Sequence, residues 1–456
     1  MPETIWFSLW KSKHFQKYIL EDARTLPSFW SACGQHPALL NHPVKTIQNY
    51  AKRAVPVVLH GDGAAVTMHI GSNSKSCLFL SFRSLVATAS IHFLMAAVWT
   101  MACSKGRFNT SKAIFRRIAR SFEALMDCQT TGGFFPVVIW TTGDLEYFGD
   151  FHHVARWNAS RPCCLCSVPK EALQHVPPFE TLALQADDWS LPRSHPCPLF
   201  QSLMSPQSIA PDYMHTKHLG CDLRLLGSVV WMMIFELPST ESLEHRLQTL
   251  LHEAKAFWSA TQSRSGLNNL TLGMFCDVND KQCRKKYPKL KVKAAESVAC
   301  IVAFLHLWQQ KMDHTNKAHV WIKLSLQASA DMDIILKRHS AEWKLTPEVH
   351  SDFMTCTKTY SVCMVALQNH YWNQENRKLF QADTFKGHWM LHSAELAQYI
   401  NPRWTWCYSG ESFMSSCKVL MQACLKGRGM LSSLHKFIER YNIALSMDLA
   451  ESWQLK

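Results

Sequence analysis

The sequence predicts a mixed α/β fold that a large helical domain interrupts. Two runs rich in β-branched and apolar residues, Val55–His60 and Phe134–Trp140, are typical of buried strands. Residues 212–384 instead carry helical periodicity almost throughout. At 456 residues the chain exceeds one ordinary domain, so we expect two or three structural units.

The first 155 residues divide into an N-terminal helical segment, 1–55, and the first part of an α/β core, 56–155. The strand Val55–His60 stops at Gly61-Asp62-Gly63, which reads as a turn. Val66–Ile70 and Cys77–Phe82 follow as plausible antiparallel partners. We therefore predict a three-stranded meander with Asp62 at the end of its first strand.

A helix is predicted from Asn109, and it ends before the strand that delivers Asp144 at its carboxyl end. Residues 156–211 are a Cys- and Pro-rich connection, 212–384 a helical insertion, and 385–456 a helical segment that closes the core. The longest apolar runs, Ile91–Cys103 and Leu225–Leu237, are too short to span a bilayer and fit buried helices. We expect no membrane association.

Composition indicates a globular protein with a polyanionic partner. Hydrophobic residues make up 47% of the chain and charged residues 18%, which excludes a disordered chain. The net charge of +13 suits nucleic acid, because lysine and arginine contacts to phosphate release counterions. Seventeen scattered cysteines and a start without a basic, apolar leader favour a reducing compartment inside the cell.

Two acids, Asp62 and Asp144, follow predicted strands, and a third, Glu411, opens a predicted helix. Taken singly, each acid can be explained by a structural role alone. Asp62 would be a turn residue, Asp144 a helix N-cap, and Glu411 a first-turn residue that interacts with the helix dipole. Their order is more informative. A strand with Asp, a meander, a helix, a strand with Asp and a late helix with Glu is how a ribonuclease-H-like nuclease core is built. Such acids hold two Mg²⁺ or Mn²⁺ ions for phosphodiester chemistry.

Cysteine spacing marks a second candidate metal site. Cys163 and Cys166 form a CxxC pair that can share a tetrahedral Zn²⁺, and His195 and Cys197 are the nearest further ligands. The alternative is a set of reduced structural thiols.

Two further stretches can each be interpreted in two ways. The segment 281–293 is strongly basic and is either a solvated loop or a phosphate-contacting patch. Its candidate DNA-binding residues are Arg284, Lys285, Lys286, Lys289, Lys291 and Lys293. Asp212 and His215 precede a helix and read as an N-cap with a packed histidine, or as part of a functional motif.

With these residues laid out, the chain resembles DDE-type transposases of the CACTA (En/Spm-like) group and their fungal and protist relatives. The resemblance runs from about residue 56 to 430 and rests on short motifs in the right order. They are His60-Gly61-Asp62-Gly63, Gly143-Asp144-Leu145-Glu146, Cys163 with Cys166, Asp212-Tyr213-Met214-His215, His388 with His392, and Arg403 through Glu411 to Lys418.

The resemblance implies a ribonuclease-H-like fold and a nuclear DNA transposase. Asp62, Asp144 and Glu411 would bind Mg²⁺ or Mn²⁺, Cys163 and Cys166 would form a zinc knuckle, and Lys418 would contact DNA. A homo-oligomer is also expected. The alternatives are a catalytically inactive, domesticated DNA-binding protein and a helical scaffold without a nucleic-acid role.

Overall fold

The computed structural model describes most of the chain and divides it into two compact units. The described residues are 1–12, 14–66, 76–104, 109–126, 133–174, 196–236, 240–263, 266–382, 384–425 and 429–454. Unit 1 comprises Met1–Arg156, Leu184–Ala210 and Thr405–Lys456, and unit 2 comprises Trp157–Ala183 and Pro211–Trp404. Helices and strands are numbered in chain order.

Unit 1 is an α/β unit with one four-stranded sheet among its described residues. Its strands are β1 (Ala54–Ala65), β2 (Ser76–Ser84), β3 (Phe93–Trp99) and β4 (Phe135–Thr142). Its helices are α1 (Pro2–Lys11), α2 (Phe15–Tyr18), α3 (Thr25–Cys33), α4 (Pro37–Leu40), α5 (Tyr50–Arg53), α6 (Thr110–Met126), α7 (Leu145–Phe151), α8 (Leu199–Ser202), α15 (Tyr408–Cys424) and α16 (Met430–Gln454).

The sheet is mixed, with the strand order β3-β2-β1-β4. β1 pairs antiparallel with β2, and β2 pairs antiparallel with β3, whereas β1 and β4 run parallel. Beyond β4, Thr141 forms a parallel bridge with Ile209, and the Ala210 N–H donates to the Thr141 carbonyl at 3.1 Å. The fold class is therefore mixed α/β, and β1 lies in the middle of its sheet.

The prediction that the first strand ends in a turn at Asp62 is wrong. Asp62 lies inside β1 and pairs with Phe79 of β2, while the parallel pairing of β1 with β4 stops at His60 and Thr142. β1 thus continues past the end of β4 as a ribbon with β2. The ladder to β2 keeps Gly61 and Gly63 extended although their sequence context favours a turn.

The predicted meander is confirmed in its last strand, because Cys77–Phe82 lies within β2 and pairs antiparallel with β1. Val66 lies just after β1, and the rest of the predicted strand Val66–Ile70 lies outside the described residues. The third strand is β3, within the run Ile91–Cys103 that was predicted to be a buried helix. A short, continuous apolar run carries no period that separates a buried strand from a buried helix.

Unit 2 is helical in its described residues, and its long helices match the predicted periodicity closely. It also takes in the first part of the predicted connection, Trp157–Ala183, and the chain as far as Trp404, so it extends beyond the predicted insertion of 212–384. The rest of the connection, Leu184–Ala210, belongs to unit 1. A π-helical segment, Met214–Cys221, opens it after the connection. Its helices are α9 (Asp222–Phe235), α10 (Leu243–Ala260), α11 (Ala294–Lys311), α12 (Lys317–Arg338), α13 (Pro347–Glu375) and α14 (Phe385–Leu396).

The stretch Met214–Phe235 is the single described helical segment that is long and apolar enough to cross a bilayer. Within the fold, 83% of its most apolar window is buried. The same segment carries buried charged residues, which a core helix can accommodate when their charges are paired.

A buried ion network joins the π-helical segment to α9 and α12. The Lys217 ammonium donates to Asp222 Oδ2 at 2.9 Å and to Asp333 Oδ2 at 2.8 Å, and His218 Nε2 lies 3.0 Å from Asp333 Oδ1. Burial raises the pKa of Asp222; at Asp333, burial is outweighed by Lys217 and His218, which lower the pKa. His218, Asp222 and Asp333 have the spacing of metal ligands, but Lys217 already places a cation between the two carboxylates.

Replacing Lys217 with Met should destabilise unit 2 by about 3–5 kcal/mol, because two buried carboxylates lose their cation. Hydrogen exchange of the α9 amides measures this change as a free energy of opening. Lys337→Met, on the exposed surface of α12, is the matched control and should change the free energy by less than about 0.5 kcal/mol. Equal effects of the two substitutions would contradict a structural role for the network.

Candidate functional site

The three predicted acids all lie in unit 1, on segments that meet at β1. Asp62 is half-buried in β1, and its Oδ1 accepts the Gly63 N–H at 2.7 Å. In a strand, residues two apart share a face, so Asp62 lies on the same face as His60. Burial, together with the charges of Cys197 and Asp62, raises the pKa of Tyr147, which lies in the first turn of α7.

Asp144 reaches β1 through a contact between two glycines. A Cβ atom added to Gly143 would lie 2.7 Å from the Gly61 carbonyl oxygen, and one added to Gly61 would lie 2.2 Å from the Tyr147 ring. Only glycine at both positions allows this close approach. The contact joins Gly143, the residue before Asp144, to Gly61, the residue before Asp62. The Asp144 carboxylate caps α7 by accepting the Tyr147 N–H at 2.7 Å.

Glu411 approaches β1 from α15. The apolar face of this helix repeats at Met414, Cys417 and Met421, which are buried together with Phe79 of β2. At its N-terminal end, a Cβ atom on Gly410 would lie 2.6 Å from the His60 ring. Glu411 therefore follows directly on a close contact with the strand that carries Asp62, and it occupies the first turn of α15.

A buried polar chain fixes the start of α15 to the sheet. His92 Nδ1 lies 3.1 Å from Ser81 Oγ of β2, and His92 Nε2 lies 3.0 Å from Ser409 Oγ, two residues before Glu411. Burial, with His60 and Arg83 nearby, holds the pKa of His92 well below its usual range. A neutral imidazole has one donor and one acceptor, which suits a bridge between two hydroxyls.

The structure brings the three acidic segments together without bringing their carboxylates into one tight cluster. Among the described residues, Asp62, Asp144 and Glu411 do not form a group whose ligand atoms all lie within 4.8 Å of one another. Ionised carboxylates repel, so a closer approach needs a cation between them. Each of the three acids is partly exposed in this arrangement.

A second site in unit 2 is a compact group of two cysteines and two histidines. Cys166 Sγ lies 3.2 Å from His388 Nε2 and 3.3 Å from His392 Nε2, and Cys163 Sγ lies 3.4 Å from His392 Nε2. The two Nε2 atoms are 3.2 Å apart. All four ligand atoms lie within 4.8 Å of one another.

This geometry fits a tetrahedral zinc ion. With Zn–S near 2.3 Å and Zn–N near 2.0–2.1 Å, a regular tetrahedron sets S···N at about 3.5 Å and N···N at about 3.4 Å. His392 Nδ1 also lies 3.4 Å from Glu395 Oε2, the kind of carboxylate contact that orients a histidine ligand. The four residues can hold one Zn²⁺.

The two thiols of this group differ in acidity. The pKa of Cys166 falls to about 2 because the Cys163 thiol donates to it and His388 and His392 hydrogen-bond to it. Burial raises the pKa of Cys163. Cys166 is therefore the thiolate that would bind a metal first, and the metal would then deprotonate Cys163.

Two of the four ligands predicted from the sequence belong to this group. Cys163 and Cys166 do lie in a potential metal site, but Cys197 lies in unit 1, where its Sγ is 3.7 Å from His152 Nδ1. His195 lies outside the described residues. The missed ligands, His388 and His392, stand four apart on one face of α14, and this spacing was the signal that could have identified them.

The other residues predicted from the sequence lie outside these two groups. Asp212 is buried, accepts the Met214 N–H at 3.0 Å and lies 2.5 Å from His215 Nδ1, as an N-cap with a packed histidine would. Lys418 is half-buried on α15, two turns after Glu411. The basic candidates are exposed on the loop before α11; they are Arg284, Lys285, Lys286, Lys289, Lys291 and Lys293.

The sequence matches no protein-family model, and a search of the curated proteins found no relative.

Purified protein should carry about one zinc ion per chain, and Cys166→Ser and His392→Asn should each remove it. Cys197→Ser should keep full zinc, since that thiol belongs to the other unit. Elemental analysis gives the stoichiometry. Substitution with Co²⁺ reports a tetrahedral site with thiolate ligands through its visible absorption. Loss of zinc from Cys197→Ser with retention in His392→Asn would restore the ligand set predicted from the sequence.

Proposed function

We propose that this protein is a transposase-like DNA nuclease and strand transferase with Asp62, Asp144 and Glu411 as its metal-binding acids. The observation that carries the proposal is the pair of close contacts on β1, Gly61 with Gly143 and His60 with Gly410. These contacts bring three segments together that are remote in sequence, each with an acid one or two residues away. Core packing alone does not require a carboxylate beside each contact.

The sheet topology supports a ribonuclease-H-like assignment. Three antiparallel strands in the order β3-β2-β1 are followed by a parallel β4, and Ile209 bridges to the far side of β4. The first acid lies on the central strand and the second just after its parallel neighbour. The third lies on a helix that returns to the sheet after a helical insertion, as expected for this class of nuclease.

Each acid has a distinct role in the proposed reaction. Asp62, from the central strand, and Asp144, after β4, would hold cations from two sides, and Glu411 would complete the ligand set. Bound Mg²⁺ or Mn²⁺ would supply positive charge that stabilises the attacking and leaving oxygens of a phosphodiester. Asp144 can cap α7 with one oxygen and keep the other for a metal. A water and then a freed 3′-hydroxyl are the proposed nucleophiles.

The Cys2His2 group would act as a structural zinc site in unit 2. Cys163 and His392 are 229 residues apart in sequence. A metal held by this pair and its neighbours would tie the first segment of unit 2 to one of its last helices, which removes chain entropy from the unfolded state. The proposed DNA substrate would be met in the nucleus, a compartment in which cysteine thiols remain reduced and can bind zinc.

A catalytically inactive DNA-binding protein is the second candidate. It is favoured by the side chain of Asp144, which is engaged as a helix cap, and by the separation of the three carboxylates. Both candidates predict DNA binding that weakens with salt. Only the first predicts cleavage that depends on a divalent metal.

Supercoiled DNA should be nicked in the presence of Mg²⁺ or Mn²⁺, and Asp62→Asn, Asp144→Asn or Glu411→Gln should each lower the rate by about 10³-fold or more. Each substitution removes one metal-binding charge at nearly constant volume. Glu439→Gln, exposed on α16, is the matched control and should nick at the wild-type rate. Wild-type nicking by Asp62→Asn would remove this site from consideration.

Gly410→Ala should lower nicking by about 10²-fold, because the new methyl group would push the start of α15, and with it Glu411, away from His60. Gly429→Ala is the control, since a Cβ at Gly429 would meet no atom within 4 Å. The assay is the same, with circular dichroism to check that both variants fold. Equal rates for the two variants would show that the position of Glu411 is unimportant.

A further inference from the structure

The basic segment before α11 has an internal anchor that the proposed function does not explain. We define the basic loop as Asp277–Lys293. It carries seven cationic residues and two acids, Asp277 and Asp280. All seven cationic side chains are exposed: Lys281, Arg284, Lys285, Lys286, Lys289, Lys291 and Lys293.

Asp280 is the anchor of this loop. Its side chain is largely buried, and its carboxylate accepts three consecutive backbone N–H groups, from Arg284 at 3.0 Å, Lys285 at 2.7 Å and Lys286 at 2.8 Å. Burial opposes ionisation, but these three donors prevail and lower the pKa of Asp280. The carboxylate thus turns the backbone of the three cationic residues inward.

Further contacts hold the loop to the helical body of unit 2. The Leu290 N–H donates to the Leu223 carbonyl at 2.8 Å, and the Lys378 N–H donates to the Cys283 carbonyl at 2.6 Å. Cys283 and Leu290 are both buried. The backbone is therefore fixed on both sides of Arg284, Lys285 and Lys286, at Cys283 and at Leu290, while the side chains of these three residues are exposed.

The acids of the loop are used in different ways. Asp277 forms a surface ion pair with the Lys286 ammonium at 2.8 Å and accepts one backbone N–H, from Asn279 at 3.0 Å. Asp280 pairs with backbone N–H groups and leaves the cationic side chains available. Within the described part of the chain, neither Arg284 nor Lys285 forms an ion pair.

We propose that Asp280 is a positioning residue that presents Arg284, Lys285 and Lys286 as a preformed contact surface for the phosphate backbone of duplex DNA. The choice of DNA rests on the proposed function; the surface itself rests on the contacts above. A fixed backbone lowers the entropy lost when cations engage phosphates. Phosphate contacts of this kind position a duplex without reading its sequence.

This proposal and simple electrostatics make opposite predictions for one substitution. Removing an acid from a DNA-binding surface should tighten binding if only net charge matters. If Asp280 holds the surface in shape, Asp280→Ala should weaken binding despite the lost negative charge. Asp277→Ala is the matched control, because it removes the same charge from the same loop and releases Lys286, and it breaks one backbone contact, to Asn279, where Asp280→Ala breaks three.

The test is binding of a labelled DNA duplex, measured by fluorescence anisotropy in magnesium-free buffer at several salt concentrations. We expect Asp280→Ala to weaken binding about three- to tenfold and Asp277→Ala to bind as tightly as wild type or more tightly. Asp280→Ala binding at least as tightly as Asp277→Ala would overturn the proposal.

A second variant tests the proposal independently, in case Asp280→Ala does not fold. The double substitution R284A/K285A changes only exposed side chains, and it should reduce the slope of log affinity against log salt by about 1.8, or about 0.9 for each lost phosphate contact. A wild-type slope in this variant would also overturn the proposal. So would preference for a duplex RNA of equal length over the DNA.

The outcome is separable from that of the proposed nuclease. If wild-type protein nicks DNA while R284A/K285A binds with unchanged affinity and slope, the loop proposal fails and the nuclease stands. If the binding pattern is as expected but no metal supports nicking, the nuclease fails and the loop surface stands.

Discussion

The candidate active site depends on the absence of side chains at three glycines around β1. Gly143 packs on Gly61, Gly61 lies under the Tyr147 ring, and Gly410 packs on the His60 ring, each at a distance that a Cβ atom would not allow. Because chain segments can approach this closely only at glycine, the three acids that follow them are held near one strand. The chemistry proposed for Asp62, Asp144 and Glu411 depends on this steric constraint.

The two units carry different parts of the proposed function. Unit 1 holds the acids and the His92 bridge that ties α15 to β2. Unit 2 holds the candidate zinc ligands, the buried Lys217 network and the basic loop. The buried charges of Lys217, Asp222 and Asp333 in unit 2 are paired with one another, as the low dielectric of a protein interior requires. The stability of unit 2 therefore rests on a few charged contacts as well as on its apolar core.

Local patterns in the sequence predicted the elements well where they carry a period. The helical insertion and strands β1 and β4 follow from periodicity and β-branched composition. β3 was missed because the apolar run Phe93–Trp99 has one β-branched residue, Val98, and without more of them such a run fits a buried strand or a buried helix equally. Asp62 was placed in a turn because Gly-Asp-Gly favours one locally, whereas the ladder with β2 overrides that preference.

Long-range contacts could be predicted only where a motif pointed to them. The CxxC pair was visible, but its partners His388 and His392 lie more than 220 residues away, and nearness in sequence pointed instead to His195 and Cys197. Likewise, the role of Asp280 depends on three backbone N–H groups that become convergent only in the folded loop. Spacing shows which residues can share a site, and the fold determines which of them do.

The central claim, that three remote acids share divalent cations at one strand, is tested most directly by iron-directed cleavage of the protein itself. Fe²⁺ bound in place of Mg²⁺ generates radicals that cut the nearby backbone when ascorbate and peroxide are added. We expect cuts close to Asp62, Asp144 and Glu411 together, suppressed by excess Mg²⁺ and absent from Asp62→Asn. Cuts near only one of these residues, or none that Mg²⁺ suppresses, would contradict the account.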